Sequence, residues 1–409
     1  MIFHYFLLYA SVSYMIGIAV SQSLMSLGST LLALGFFFLL FERLLDPDER
    51  RELLGSSKTE RCALAGIILY TIFGAVQLWR IRSQNISLEI SGLNAENAFE
   101  WSGLKHLPLF CIPFLPVLLK KSMKPFSRAA LRNAGLLYAA AFLASCLFAI
   151  YQASVEGVMA IAWMKNPIFL AYNLLFQVVM IAVIIPQLSK SYRAGASVLI
   201  ALGMLAIFAT NSRMASLCVV VLIGLISGRW AWKNLSKKWI IMGVVAMSTF
   251  GISEYVRKPY VQDRVHNALN FDSPSWRGRL KAWDHNLEII RDNPLTGVGP
   301  MHNGLYTRDL NGFWQGLWGD NVVIYAHSLY LQWLAESGVI GTLLILAALG
   351  CLALTFPYLK WPLLALLISG LTENVLTNSK PLHAFLGTTL VIGLLSQLGY
   401  LRQPSKNDS

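Results

Sequence analysis

Uninterrupted apolar runs separated by short basic stretches frame the chain. Met1 to Phe41 contains no charged residue. That is room for two membrane-crossing helices turning near Ser21-Gln22-Ser23, because a hydrocarbon core about 30 Å thick takes about 20 residues of helix. Further runs at 63–79, 106–119, 133–152, 167–188, 194–210, 214–228, 239–253, 327–356, 361–377 and 382–400 bring the expected spans to about twelve. An even number puts both termini on one side. The run at 106–119 is short and holds Pro108, Pro113 and Pro116. It reads as a broken or re-entrant helix, tolerable where protein or a cavity satisfies the freed backbone groups. The expected fold is an all-α polytopic membrane protein, with transmembrane helices 1–9 over 1–253, one large external helical segment over 254–326, and transmembrane helices 10–12 with a short tail over 327–409.

Composition agrees with that pattern. Of 409 residues, 56% are hydrophobic and 13% charged, against roughly 25% charged in soluble chains; mean hydropathy is +0.55. A soluble enzyme, a disordered scaffold and a secreted disulfide domain are excluded. The five cysteines lie within or at the edge of apolar runs without CxxC spacing and read as small packing residues. No Lys or Arg precedes the first apolar run, so the N-terminus reads as a retained helix and not a signal peptide. No internal repeat or low-complexity tract interrupts the chain.

The net charge of +12 then acquires a position. One set of loops carries 19 Lys and Arg, the opposite set six in its short segments and eight in the segment from Glu254 to Ala326. Basic residues in short loops mark the cytoplasmic side, and segments beyond about 60 residues cross largely regardless of charge. The termini are therefore expected in the cytoplasm and the long segment outside, which in a bacterium is the periplasm. The whole excess falls in the cytoplasmic set, so it reports orientation and gives no reason to expect nucleic acid.

Candidate chemistry gathers at the external side. Trp276, Leu280, Trp283, Leu287 and Ile290 recur at spacings of four and three and predict an amphipathic helix ended by Asn293-Pro294. Arg279 falls at the edge of that apolar sector, whereas Arg277, Lys281 and Arg291 point further away. Arg279 is thus either drawn into a packed interface or snorkels over the stripe. His327 opens the tenth span. It is either a cap or interface residue or a proton acceptor, since a helix N-terminus disfavours imidazolium. Glu336, about half a turn away in angle from His327, reads as packing or snorkelling. Arg213, in the Thr210-Asn-Ser-Arg turn between the seventh and eighth spans, either anchors to headgroups or is functional, as near-membrane charges often are.

Three motifs carry a resemblance. They are the Asn211-Ser-Arg213 turn; Arg279-Leu-Lys-Ala-Trp283 continuing to Asn293-Pro-Leu-Thr-Gly-Val-Gly299; and His327-Ser-Leu-Tyr-Leu followed by Glu336-Ser-Gly-Val-Ile-Gly341. In order, spacing and shared side these resemble the O-antigen ligase family of bacterial envelope glycosyltransferases, within a superfamily that includes O-antigen polymerases. The motifs cover about the C-terminal half; Ser328 stands where many relatives have asparagine. The resemblance implies a GT-C-like, metal-independent transferase of the bacterial inner membrane with its active face in the periplasm. It moves an O-antigen glycan from undecaprenyl diphosphate to a sugar hydroxyl of the lipid A-core oligosaccharide, and needs no cofactor. Length, the single late external loop and the span count are similar to those of the ligases, and that resemblance favours the ligase over the polymerase.

Two tasks then fall to the protein. Arginine suits charge growing on the diphosphate, because its planar fork binds phosphate oxygens and stays charged near lipid; Arg213 and Arg279 are the candidates, with Arg277 in reserve. His327 is the candidate general base, and attack opposite the diphosphate inverts the anomeric centre. Trp276, Trp283, Trp314 and Trp318 suit sugar stacking or the membrane interface equally. No histidine shows HxxxH or HExxH spacing, and no metal is expected. Asp46-Pro47-Asp48 imitates the DxD of metal-dependent glycosyltransferases, but reads as a helix N-cap and first turn on the cytoplasmic side. A lipid-glycan flippase is the rival from another class. It needs charge along a path, whereas Arg213, Arg279 and His327 all map to one face.

Overall fold

The computed structural model describes residues 2–83, 107–119, 127–156, 158–164, 166–234, 256, 262, 272, 274–300, 326–373 and 379–401. Among them there is no strand. The helices are α1 (Ile2–Val20), α2 (Gln22–Leu45), α3 (Pro47–Leu54), α4 (Lys58–Ser83), α5 (Leu115–Leu118), α6 (Arg128–Tyr151) and α7 (Pro167–Ile184). They continue with α8 (Lys190–Ala209), α9 (Arg213–Asn234), α10 (Pro274–Asp292), α11 (Leu329–Thr355), α12 (Lys360–Ser369) and α13 (Ser379–Gln397). Six stretches are long and apolar enough to cross a membrane: Ser23–Leu45, Lys58–Arg80, Ala129–Glu156, Pro167–Gln187, Lys190–Ala209 and Leu329–Thr355. Tyr9–Val20, Leu107–Leu118, Arg213–Gly228 and Pro381–Gln397 are apolar but shorter. The run expected at 239–253, and most of 254–326, lie outside the described residues.

The centre is α7. Every residue from Leu170 to Val183 is buried, with α8, α9, α12 and α13 packed around it, so this helix is apolar on all sides. Its two polar residues meet the cost of burial by pairing. Asn173 Nδ2 donates to the Ile18 carbonyl at 2.8 Å, Gln177 Nε2 to Asn173 Oδ1 at 2.6 Å, and the Tyr138 hydroxyl to Gln177 Oε1 at 2.8 Å.

The proline-rich run is broken, as its prolines lead one to expect. A 3-10 turn at Ile112–Phe114 leads into the single turn of α5, and Cys111 to Leu119 are all buried. The segment packs against α2 and α13. There Gln397 Nε2 donates to the Leu119 carbonyl at 3.4 Å, replacing a bond that a continuous helix would have made. Asp46 is the N-cap of α3, its Oδ1 accepting from the backbone N–H of Asp48 at 2.9 Å and of Glu49 at 3.3 Å. The DxD look-alike is a helix start.

Two expectations need correction. The span expected over 361–377 is helical only to Ser369 and then turns, which leaves Glu373 beyond the helix end. In α10 the apolar stripe is not the packed face. Gly278, Ala282, Asn286 and Ile289 are buried, and α10 packs on α11, while Leu280 and Leu287 on the stripe are 40% and 47% exposed. The small residues Gly278 and Ala282 permit a closer helix approach, so Leu280 and Leu287 turn outward while Trp276, Trp283 and Ile290 stay half-buried.

Candidate active site

Two connections bring the ends of α10, α11 and α12 together. The first lies between α10 and α11. The merged helix α11 is interrupted at Gly338, whose φ of 59° and ψ of −169° are not helical. A break of this kind frees backbone groups on both sides, and the Pro294–Gly299 loop after α10 satisfies them. The N–H groups of Val298 and Gly299 donate to the carbonyls of Ala335 (2.9 Å) and Glu336 (2.8 Å), and those of Val339 and Ile340 donate to the carbonyls of Pro294 (2.9 Å) and Leu295 (3.1 Å). Gly297 and Gly338 face each other across this clasp with φ of 66° and 59°. A Cβ on Gly338 would fall 2.3 Å from the Leu295 carbonyl carbon, and one on Gly297 would fall 2.4 Å from that of Glu336. From α4, Arg80 Nη2 donates to the Gly297 carbonyl at 3.2 Å.

The second connection joins α11 to α12. The Leu329 N–H donates to the Gly370 carbonyl at 2.8 Å, and the Tyr330 hydroxyl to the Leu367 carbonyl at 2.7 Å. The turn after α12 is held by the Glu373 N–H donating to the Ser369 carbonyl at 3.1 Å.

These connections converge on Glu373. Arg279 Nη2 donates to its Oε1 at 2.8 Å, and His327 Nδ1 stands 3.5 Å from its Oε2. The first is a charge-assisted hydrogen bond; the second is ion-pair distance, beyond good hydrogen-bond length. The side chains are 25%, 38% and 13% exposed for Arg279, His327 and Glu373, so the cluster is partly desolvated yet open to the outside. Among the described residues the rest of the Arg279 fork meets no other acceptor. His327 turns Nδ1 towards the carboxylate, which leaves Nε2 on the far side of the ring. Its backbone has φ of 46°, a left-handed conformation that costs a non-glycine residue roughly 1–2 kcal/mol. Strain of this kind persists where the surrounding bonds over-determine it.

Beneath the cluster, Tyr172 of α7 lies within electrostatic range of Arg279, Glu373 and Cys218. Its hydroxyl and that of Thr372 are buried and face each other outside hydrogen-bond geometry. Cys218 is in the second turn of α9, the helix that Arg213 opens, so Arg213 lies at the same end of the bundle. Its side chain is exposed. The turn before it is set by left-handed Asn211, with φ of 57°, and by Thr210 Oγ1 accepting the Ser212 N–H at 3.2 Å.

Of the candidates read from the sequence, the structure therefore unites Arg279 with His327. Arg213 shares their end without a described contact to Glu373. Arg277 turns away, its Nε donating to the Asp272 carbonyl at 2.7 Å. Trp276 and Trp283 form an edge-to-face pair with ring centroids 6.2 Å apart, whereas Trp314 and Trp318 lie outside the described residues. Glu336 does not snorkel; it is buried and accepts a hydrogen bond from Gln332 Nε2. Glu373 is the residue that sequence reading missed. A lone carboxylate inside an expected span was the signal that could have singled it out.

Comparison with known proteins finds one family over part of the chain. A family model described as O-antigen ligase matches residues 196–346. The match covers 151 of the 409 residues and is consistent with that family. It runs from α8 into α11, so it contains Arg213, the clasp, Arg279 and His327, and it ends before Glu373. The match and the apolar helices fit a multi-pass membrane protein and support an enzyme of the O-antigen ligase or polymerase type. No curated protein matches the chain.

Proposed function

We propose that the protein is an O-antigen ligase of the bacterial inner membrane, acting at the periplasmic face with both termini in the cytoplasm. The donor is a glycan on undecaprenyl diphosphate, and the acceptor is a hydroxyl of the lipid A-core oligosaccharide. The observation that carries the reading is the convergence of Arg279 and His327 on the two oxygens of Glu373. It supports reading Arg279 as a phosphate-binding fork and His327 as a proton acceptor, joined by one carboxylate.

Each group has one task. The part of the Arg279 fork left by Glu373 receives diphosphate oxygens, and Arg213 at the same end adds a second positive charge; Arg277, held by its own backbone contact, is the reserve. Preorganised donors of this kind supply a few kcal/mol each. With its Nδ1–H directed at Glu373, His327 presents an unprotonated Nε2 to the acceptor hydroxyl. Glu373 thereby orients the ring and stabilises the imidazolium that forms, as a carboxylate behind a catalytic histidine does. The acceptor oxygen bonds to the anomeric carbon, the bond from that carbon to the diphosphate oxygen breaks, its electrons leave on the diphosphate, and the proton passes to Nε2. Attack opposite the leaving group inverts the anomeric configuration. The half-exposed stripe of α10 suits the outer surface of the bilayer, where apolar and aromatic side chains meet headgroups.

Lipopolysaccharide gels of a deletion strain test this reading against the polymerase. A ligase predicts loss of every O-antigen-bearing band while undecaprenyl-linked polymer accumulates. A core carrying a single repeat unit overturns it in favour of a polymerase.

A further inference from the structure

The start of α11 contains a buried polar relay that leads to the backbone of His327. The Ala326 N–H donates to Gln332 Oε1 at 3.2 Å, and Gln332 Nε2 donates to Glu336 Oε1. Ala326 and Gln332 are fully buried, and Glu336 is 6% exposed. The polarity is fixed by the start of the relay, because the Ala326 backbone N–H only donates. Facing Glu336, the Gln332 amide must present its NH2 group there and its oxygen to Ala326. Without Gln332, the buried Ala326 N–H would lose its acceptor among the described residues, a costly state for a backbone donor. On the other side of His327, the Leu329 N–H is held by the Gly370 carbonyl at 2.8 Å. His327 is thus pinned on both flanks while its own φ is 46°.

We propose that Gln332 and Glu336 are positioning residues for His327: the relay holds the left-handed turn that directs Nδ1 at Glu373 and Nε2 outward. Neither residue touches substrate. The proposal rests on the reading of His327 as the general base. It gives the buried carboxylate a role through the backbone, nine residues from the histidine, that helical angles alone did not suggest.

The test uses the purified full chain in a glycan-transfer assay with a lipid-linked donor and a lipid A-core acceptor. Gln332→Glu sets two carboxylates against each other; kcat falls about tenfold or more, since a misplacement near 1 Å costs on the order of 10², while KM for the donor stays within about twofold. The double variant Gln332→Glu with Glu336→Gln rebuilds both bonds and reverses the polarity of the one between 332 and 336. The new amide at 336 donates to the new carboxylate at 332, which still accepts the Ala326 N–H. Its kcat returns to within about threefold of wild type, a coupling that two independent packing defects would not show. Wild-type kcat in Gln332→Glu overturns the proposal, as does a folded double variant no faster than that single one. His327→Ala separates the two levels. If it is inactive while Gln332→Glu is fully active, the relay alone fails; if it keeps wild-type kcat, the base reading fails and the relay with it.

Discussion

Replacing Gly338 by alanine tests whether the clasp sets the distance between α10 and α11. The perturbation is one methyl group. At φ 59° and ψ −169° the backbone is in a region open essentially to glycine, and forcing another residue into it costs about 1–3 kcal/mol. The new Cβ would also fall 2.3 Å from the Leu295 carbonyl carbon and oxygen and 2.5 Å from the Thr296 nitrogen. Those are backbone atoms with no rotamer to escape into, so the loop must withdraw. Withdrawal breaks the four backbone hydrogen bonds of 2.8–3.1 Å between 294–299 and 335–340. At about 0.5–1.5 kcal/mol each, that is about 2–6 kcal/mol of local stability. Amide hydrogen exchange reads it directly, with Val298, Gly299, Val339 and Ile340 losing protection together by about 30-fold or more. Because α10 carries Arg279, glycan transfer should fall by on the order of 10². Gly350→Ala is the control. It lies in the same helix with nothing within 4 Å of a built Cβ, and should be neutral or more stable by up to about 1 kcal/mol. Unchanged protection of those four amides with wild-type transfer in Gly338→Ala would refute the reasoning.

Three further outcomes follow from the cluster. Arg279→Lys keeps the charge but loses the fork, so it cannot hold Glu373 and grip a diphosphate bidentately; transfer kcat/KM should drop about 10- to 100-fold, and equal kcat/KM would remove the fork from the account. Tyr172→Phe deletes a buried hydroxyl that, among the described residues, makes no well-formed hydrogen bond and has the Thr372 hydroxyl nearby. The protein should unfold no earlier than wild type while KM for the lipid-linked donor rises about 2- to 10-fold; an unchanged KM would limit Tyr172 to packing. Transfer should persist in excess EDTA, and abolition reversed by added metal would show that the arginines do not neutralise the diphosphate alone.

Much of this architecture was legible because the bilayer imposes a coarse code. Apolar runs of about 20 residues marked the helices that became α2, α4, α6, α7, α8 and α11, and the three prolines marked the broken 107–119 segment. Arg279 and His327 were legible because their motifs keep order and spacing. What escaped was the partner of each. Hydropathy absorbed Glu373 into an apolar run, although the helix ends at Ser369 and the carboxylate stands in the turn beyond. Helical angles set Glu336 apart from His327, since they describe a straight rod and contain neither the left-handed turn at His327 nor a hydrogen bond passed from side chain to backbone. The stripe of α10 was read correctly as periodic, but periodicity does not say which neighbour a face meets. Here Gly278, Ala282 and Ile289 took the packed side, and Leu280 and Leu287 faced out.

The central claim is that one carboxylate joins Arg279 and His327 into a single site, and Glu373→Ala tests it most directly. With the variant purified, folded and supplied with lipid-linked glycan and lipid A-core, kcat should fall by about 10² or more, because the base loses its orienting carboxylate and the arginine its anchor. The double variant Glu373→Ala with His327→Ala should be little slower than His327→Ala alone, as groups that act as a unit behave. Wild-type kcat in Glu373→Ala, or losses that multiply independently in the double variant, would contradict the account.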